Sequence, residues 1–239
     1  DLSAALRRHD MGLVVDIVPN HMGVGGDENP FWLDVLRQGP ASPWAAMFDI
    51  DWEAGGGRLL APVLGAPYGK VLAGADLKLV REEGAGWAVR YFQHLFPLRP
   101  ADAAALEADP GAATGDAGEE AAGQMHALLE RQHYRLAFWR AAADALNWRR
   151  FFDVTELAAL NAEAPGVFEH THGLVLDLYA QGLIDGLRVD HVDGLADPGA
   201  YVRRLRAALA ARAAERPEEL RGPAYVVVEK ILASGETLD

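Results

Sequence analysis

Three short apolar runs of this 239-residue chain end in side chains that ionise or hydrogen-bond strongly. VVDIVPNH, at 14–21, carries Asp16, Asn20 and His21. GLRVDHVDGL, at 186–195, carries Arg188, Asp190, His191 and Asp193, and YVVVEK, at 225–230, carries Glu229 and Lys230. Strands normally fill such runs with Val, Ile and Leu, so Arg188 reads as a buried cation whose charge needs a reason. Side chains two apart on a strand point the same way, which aligns Asp16 with Asn20 and Arg188 with Asp190. In parallel α/β folds the carboxyl ends of the strands converge on one face, where these residues could line one pocket. Two carboxyl groups on separate strands suit acetal chemistry at a sugar: one, ionised, attacks or stabilises the anomeric carbon, and the other holds a proton for the departing oxygen. Arg188 favours the anion of Asp190, and the apolar run before Glu229 suits a carboxyl that must keep its proton.

The same residues also have plainer readings. Asp16 serves equally as the partner of a buried cation, and Asn20 and His21 as strand-end caps. Arg188 and Asp190 could form a structural ion pair, although burying one costs the desolvation of both charges. Glu229 alone would read as a solvated strand terminus. His133, His170 and His172 read as ordinary helix residues. Asp16, Asn20, His21 and Asp193 offer oxygen and nitrogen ligands, but neither HExxH nor EF-hand spacing occurs, so no metal site is expected. GVGG at 23–26 leads into DENPFW rather than a P-loop lysine, and GxSxG is absent. Neither nucleotide nor serine-nucleophile chemistry is supported, and no cofactor is expected.

A formal net charge of −13 opposes binding to nucleic acid or anionic membranes, whose recognition relies on a basic surface. With 50% hydrophobic and 24% charged residues the composition is that of a globular protein with a sizeable core. Without cysteine there is neither a disulfide framework nor a thiolate zinc site, which fits a cytoplasmic protein. No apolar stretch reaches the roughly 18 to 20 residues that cross a bilayer. DLSAALRRHD at the start lacks an initiating Met, so the chain is expected to be an internal piece with sequence missing on both sides.

Leu2, Ala5, Leu6 and His9 recur at helical spacing before the first strand. A Gly-, Pro- and Trp-containing excursion then runs over 22–125, with PADAAALEADPGAATGDAGEEAAGQ, at 100–124, expected to be partly disordered. The stretch 126–239 is expected to supply helices and two further strands. MHALLERQHYRLAFWRAAADALNWRRFF reads as helix over much of its length, and a second helix begins near Pro165 with Phe168, His172, Val175 and Tyr179 on one face. A third starts with Asp197 as cap and Val202, Leu205 and Leu209 as inward stripe. Strand, helix, strand, helix, strand with apolar strands implies an α/β fold with parallel strands, open or barrel-like.

DIVPNH resembles the first conserved region of the α-amylase family of retaining glycoside hydrolases, GLRVDHVDG its second and VVVEK its third, in the family's order. The resemblance implies an incomplete (β/α)8 TIM barrel, with residues 1–21 as a barrel helix and strand and a lid-like small domain inserted after that strand. It also implies Asp190 as nucleophile, Glu229 as general acid/base and Arg188 as the nucleophile's positioning partner. Asn20 and His21 would contact the sugar at the cleaved bond and Asp16 would brace the site. His191, Asp193 and Lys230 are further candidates for substrate contact, and Trp32, Trp44 and Trp52 are candidates for sugar platforms or for a small core. HYRLAFWRAAADALNWRRFFDVTELAAL and YVVVEKILASGE are similar to a branch of the family that acts in trehalose biosynthesis. That branch converts the reducing-end α-1,4 linkage of a maltooligosaccharide into an α,α-1,1 linkage, an isomerase reaction. Gly194 stands where many amylases carry histidine, which lowers support for a glycogen hydrolase. The family's third carboxylate would lie outside this chain, as would two barrel strands, so the piece alone is expected to be inactive. A hydrolase or 4-α-glucanotransferase on the same scaffold and a noncatalytic carbohydrate-binding relative are the alternatives.

Overall fold

The computed structural model describes residues 2–113 and 118–237. Its contacts divide into two units, Asp1–His21 with Leu160–Asp239, and Met22–Ala159. In the first unit, α1 (Leu2–Arg7) precedes β1 (Val14–Ile17), and α2 (Pro165–Ala180), β2 (Gly186–Val189), α3 (Pro198–Arg212) and β3 (Tyr225–Val228) follow. The strands form one sheet in the order β1, β2, β3, and both pairs are parallel. Helical crossovers between consecutive strands permit that arrangement.

Local chemistry sets the helix ends. Pro165 and Pro198 occupy the first turns of α2 and α3, where no amide partner is lost. Asp197 caps α3 by accepting from the Ala200 amide at 2.8 Å, a contact of the kind that contributes about 1 kcal/mol. At the end of α2 the Gly182 amide donates to Tyr179 O at 2.9 Å and the Leu183 amide to Leu178 O at 3.0 Å. This reversal needs a left-handed residue, and Gly182 has φ 73°.

The alternation of the strands divides the sheet into two chemical faces. Val15, Ile17, Leu187, Val189 and Val226 turn to the helical side, where Phe168, Tyr179, Tyr201, Leu205 and Leu209 form the core. The intervening positions, Asp16 and Arg188, project from the opposite face.

His172 lies inside this core, on the same helix face as Phe168 and Tyr179. Its ring stacks on Phe168 with centroids 4.1 Å apart, Nδ1 lies 2.9 Å from Phe168 O, and Nε2 lies 2.7 Å from the Tyr201 hydroxyl. Burial, aided by the nearby charge of Arg204, lowers its pKa below the ordinary 6.5 against the opposing effect of the Phe168 carbonyl. The unfolded chain therefore binds more protons here, so this contribution to stability is complete above about pH 6.5 and declines as pH falls toward the lower folded value. Urea unfolding of the chain at pH 8 and pH 5.5 should show a smaller acid-induced drop in midpoint for His172→Phe than for the parent. Equal drops would remove His172 from the account.

The second unit holds a parallel pair, Leu59–Leu64 with Tyr134–Phe138, and an antiparallel sheet of Lys78–Glu82, Gly86–Tyr91 and His94–Pro97. Arg150–Phe151 and Val154–Ala159 pair as a hairpin. Sequence and structure differ in two places here. The helix expected over much of 125–152 ends at Leu129, because Tyr134 and Leu136 alternate inward and pair beside Leu59 and Ala61. The unit consequently continues past position 125 as far as Ala159. Within 100–124, Pro100–Ala108 and Glu119–Leu129 are helical, while residues 114–117 lie outside the described residues. Trp32 is 6% exposed and meets Phe48 and Trp148 edge-on at 4.9 and 5.3 Å, which makes it core and removes it as a sugar platform.

Candidate active site

The ladders of the parallel sheet run one residue beyond its strands. The Asp190 amide donates to Ile17 O at 2.9 Å and the Glu229 amide to Val189 O at 2.8 Å. Val189 is the register partner of Val228, so Asp190 and Glu229 are the next pair in the same row. Adjacent strands lie about 4.8 Å apart and partners in a row share a face. The two carboxyl groups therefore start side by side on the face opposite the helices.

Arg188 ties the row together from two residues back. Its Nη1 donates to Asp190 Oδ1 at 3.0 Å and to Asp16 Oδ2 at 2.6 Å, and Nη2 lies 3.4 Å from Glu229 Oε2. Asp16 is the register partner of Arg188, which explains that contact. The arginine retains 37% of its side-chain surface, so it is not the buried cation the sequence suggested; the polar sheet face leaves it half open. Burial pushes the Asp190 carboxyl up, but hydrogen bonds with Glu229 and Arg188, and then the charges of Arg188 and His191, hold it below its ordinary 3.8. Asp190 is thus ionised throughout the neutral range and in direct contact with the Glu229 carboxyl.

The remaining candidates occupy the rim. Asn20 is 2% exposed and donates from Nδ2 to Gly194 O at 2.6 Å, so it braces the turn after Asp190. His21 is half-buried beside His191 and Asp190; burial first and His191 second lower its pKa, while Asp190 opposes them. His191 has φ 46° and ψ 47°, and its amide donates to Glu229 Oε2 at 3.2 Å. Asp193 and Lys230 meet each other at 3.4 Å, and Asp193 Oδ2 also accepts from the Ile231 amide at 3.3 Å.

Two residues of this cluster escaped the sequence reading as contributors. Glu236 lies 3.2 Å from Lys230 Nζ and accepts from the Ala233 amide at 2.9 Å, and no spacing pointed to it. Gly194 carried a signal, its departure from the usual histidine. A Cβ there would stand 2.6 Å from Asn20 Nδ2, 2.6 Å from His191 Cδ2 and 2.7 Å from His191 Nε2. Among the described residues, no group of three or more His, Cys, Asp or Glu is arranged to hold a metal ion, and no helix is long and apolar enough to cross a membrane.

No protein-family model matches the chain. Over its whole length it is 43% identical to curated relatives from two strains of Mycobacterium tuberculosis, CDC 1551 / Oshkosh and H37Rv, both bearing the name maltooligosyl trehalose synthase. The chain is homologous to maltooligosyltrehalose synthases. Solved structures agree: maltooligosyltrehalose synthase from Arthrobacter ramosus superposes with a TM-score of 0.76 at 39% identity, covering all of this chain and 27% of that one. A hypothetical maltooligosyl trehalose synthase of Sulfolobus tokodaii gives 0.73 at 31% identity over 99% of this chain and 27% of its own. The chain spans 26% of each mycobacterial maltooligosyl trehalose synthase it matches, about a quarter. That quarter folds as mixed α/β structure and carries all three motif-bearing strand ends.

Proposed function

We propose that the protein containing this chain converts the reducing-end α-1,4 linkage of a maltooligosaccharide into an α,α-1,1 linkage, by double displacement with retention. The proposal takes the three parallel strands as part of an incomplete (β/α)8 barrel. Asp190 attacks the anomeric carbon while Glu229 gives its proton to the leaving oxygen, so the C1–O bond breaks as the C1–Asp190 ester forms. The freed glucose turns in place, and its anomeric oxygen attacks C1 as Glu229 takes back a proton and Asp190 departs. Substrate and product are isomers, so water must be kept from the ester meanwhile.

Arg188 keeps Asp190 charged, and Asp16 holds Arg188 from its far side. His21 and His191 stand at the rim of the carboxyl pair, where they would meet the sugar. No metal or cofactor is needed by these steps. The observation that carries the proposal is the pairing of Asp190 and Glu229 on neighbouring strand ends with one arginine between them.

Incubation of the whole protein with maltopentaose tests it. Reducing power should fall without release of glucose. A hydrolase would raise reducing power, a 4-α-glucanotransferase would redistribute chain lengths and leave it constant, and a noncatalytic carbohydrate-binding relative would bind without turnover. The isolated 239-residue chain should be inactive in the same assay.

A further inference from the structure

Directly after Asp190 the backbone takes an unfavourable path. His191 adopts the left-handed conformation, φ 46° and ψ 47°, which residues other than Gly seldom occupy, although His, like Asn and Asp, is found there more often than most. Such a position persists only where its surroundings hold it. Here they do so from three sides. The Asp190 amide is fixed to Ile17 O, the turn Val192–Gly194 buries Val192 in the core, and the Gly194 amide donates back to His191 O at 3.2 Å. The His191 ring lies in the space a side chain at 194 would need, and Asn20 Nδ2 closes the same space by bonding Gly194 O.

The left-handed residue turns the chain out of the sheet directly after Asp190, and the His191 N–H, which faces β3, donates to Glu229 Oε2 at 3.2 Å instead of extending the ladder. Arg188 Nη2 approaches the same oxygen at 3.4 Å. One amide donor and one guanidinium contact on Oε2 favour Oε1 as the oxygen that carries the proton, with the hydrogen bond between Glu229 and Asp190 giving way as the sugar enters.

We propose that the backbone of His191, held left-handed over the side-chain-free Gly194, is the positioning element of Glu229: it fixes Oε2 so that Oε1 presents the proton to the glycosidic oxygen. The idea rests on the proposed roles of Asp190 and Glu229. His191 is a positioning residue in this scheme, acting through its amide, whatever sugar contact its ring makes.

The test compares two substrates in the whole protein: maltopentaose, whose leaving oxygen must be protonated, and α-maltosyl fluoride, whose leaving fluoride needs no proton. Each is followed in a single turnover. His191→Val, which resists the left-handed region, should slow bond cleavage in maltopentaose by roughly 100-fold, the low end of what a positioned acid contributes, and fluoride release far less. Gly194→Ala, which pushes on the ring and on Asn20, should show the same split. His191→Gly, which accepts the left-handed backbone, should raise KM but keep the parent's ratio of the two rates. Equal losses on both substrates, or a His191→Gly variant as unbalanced as His191→Val, would overturn the inference. If His191→Val does not fold, Gly194→Ala and His191→Gly still decide it. Failure of the parent protein to turn over either substrate would instead defeat the proposed function.

Discussion

Asp190→Asn in the whole protein should lower maltopentaose isomerisation by at least about 10⁴-fold while leaving the fold intact, since loss of a covalent nucleophile removes the step that divides the barrier. The amide is nearly the size of the carboxylate, so the backbone bond from the Asp190 amide to Ile17 O is unaffected. The side-chain oxygen can still accept from Arg188 at the 3.0 Å position, which keeps the guanidinium in place. What disappears is the negative charge that attacks C1. Unchanged circular dichroism and a retained affinity for maltopentaose should accompany the loss of turnover. Substantial activity in this variant, with the protein verified by mass, would mean that another group forms the ester.

The parts of this site readable from sequence are those whose information is local. VVDI, GLRV and YVVV announce strands because each is a short, mostly apolar and β-branched run, although only the central GLRV is buried and the two flanking strands stay half exposed. A charge at the end of such a run is visible without knowing what it touches. The touching partners depend on register, which is a long-range property: Asp16 meets Arg188 only because Val14 pairs with Gly186, and Glu229 reaches Asp190 only because Val189 pairs with Val228. The left-handed turn at His191 was illegible for a different reason. Histidine is among the residues that tolerate it, but most histidines lie elsewhere, so its presence marks little, and the residue that leaves room for its ring, Gly194, lies three positions away. In the second unit the strand Tyr134–Phe138 carried a period-two signal in Tyr134 and Leu136 that the surrounding alanines and leucines masked as helix. Its partner, Leu59–Leu64, lies more than half the unit away in sequence, so no local rule could supply the pairing.

Arg188→Met should be nearly as damaging as loss of the nucleophile, by another route. The methionine fills much of the space of the arginine stem but offers no donors, leaving Asp16, Asp190 and Glu229 as neighbouring carboxyls with their shared cation gone. Removing one preorganised donor from a charged reaction centre costs roughly 10²- to 10³-fold in kcat, and the arginine supplies contacts to both carboxyls of the row. The pH dependence gives the sign. In the parent, Arg188 and the Glu229 hydrogen bond hold the Asp190 carboxyl below 3.8, so its acid limb lies at low pH. Without the guanidinium, burial pushes Asp190 upward against the Glu229 hydrogen bond and the His191 charge alone, and the acid limb of kcat/KM should move to higher pH. Arg188→Lys retains the charge but not the fork, so it should restore the acid limb more completely than the rate. An acid limb that stays where it was in Arg188→Met would show that the arginine is not what keeps the nucleophile ionised, and the hydrogen bond from Glu229 would then have to do so alone.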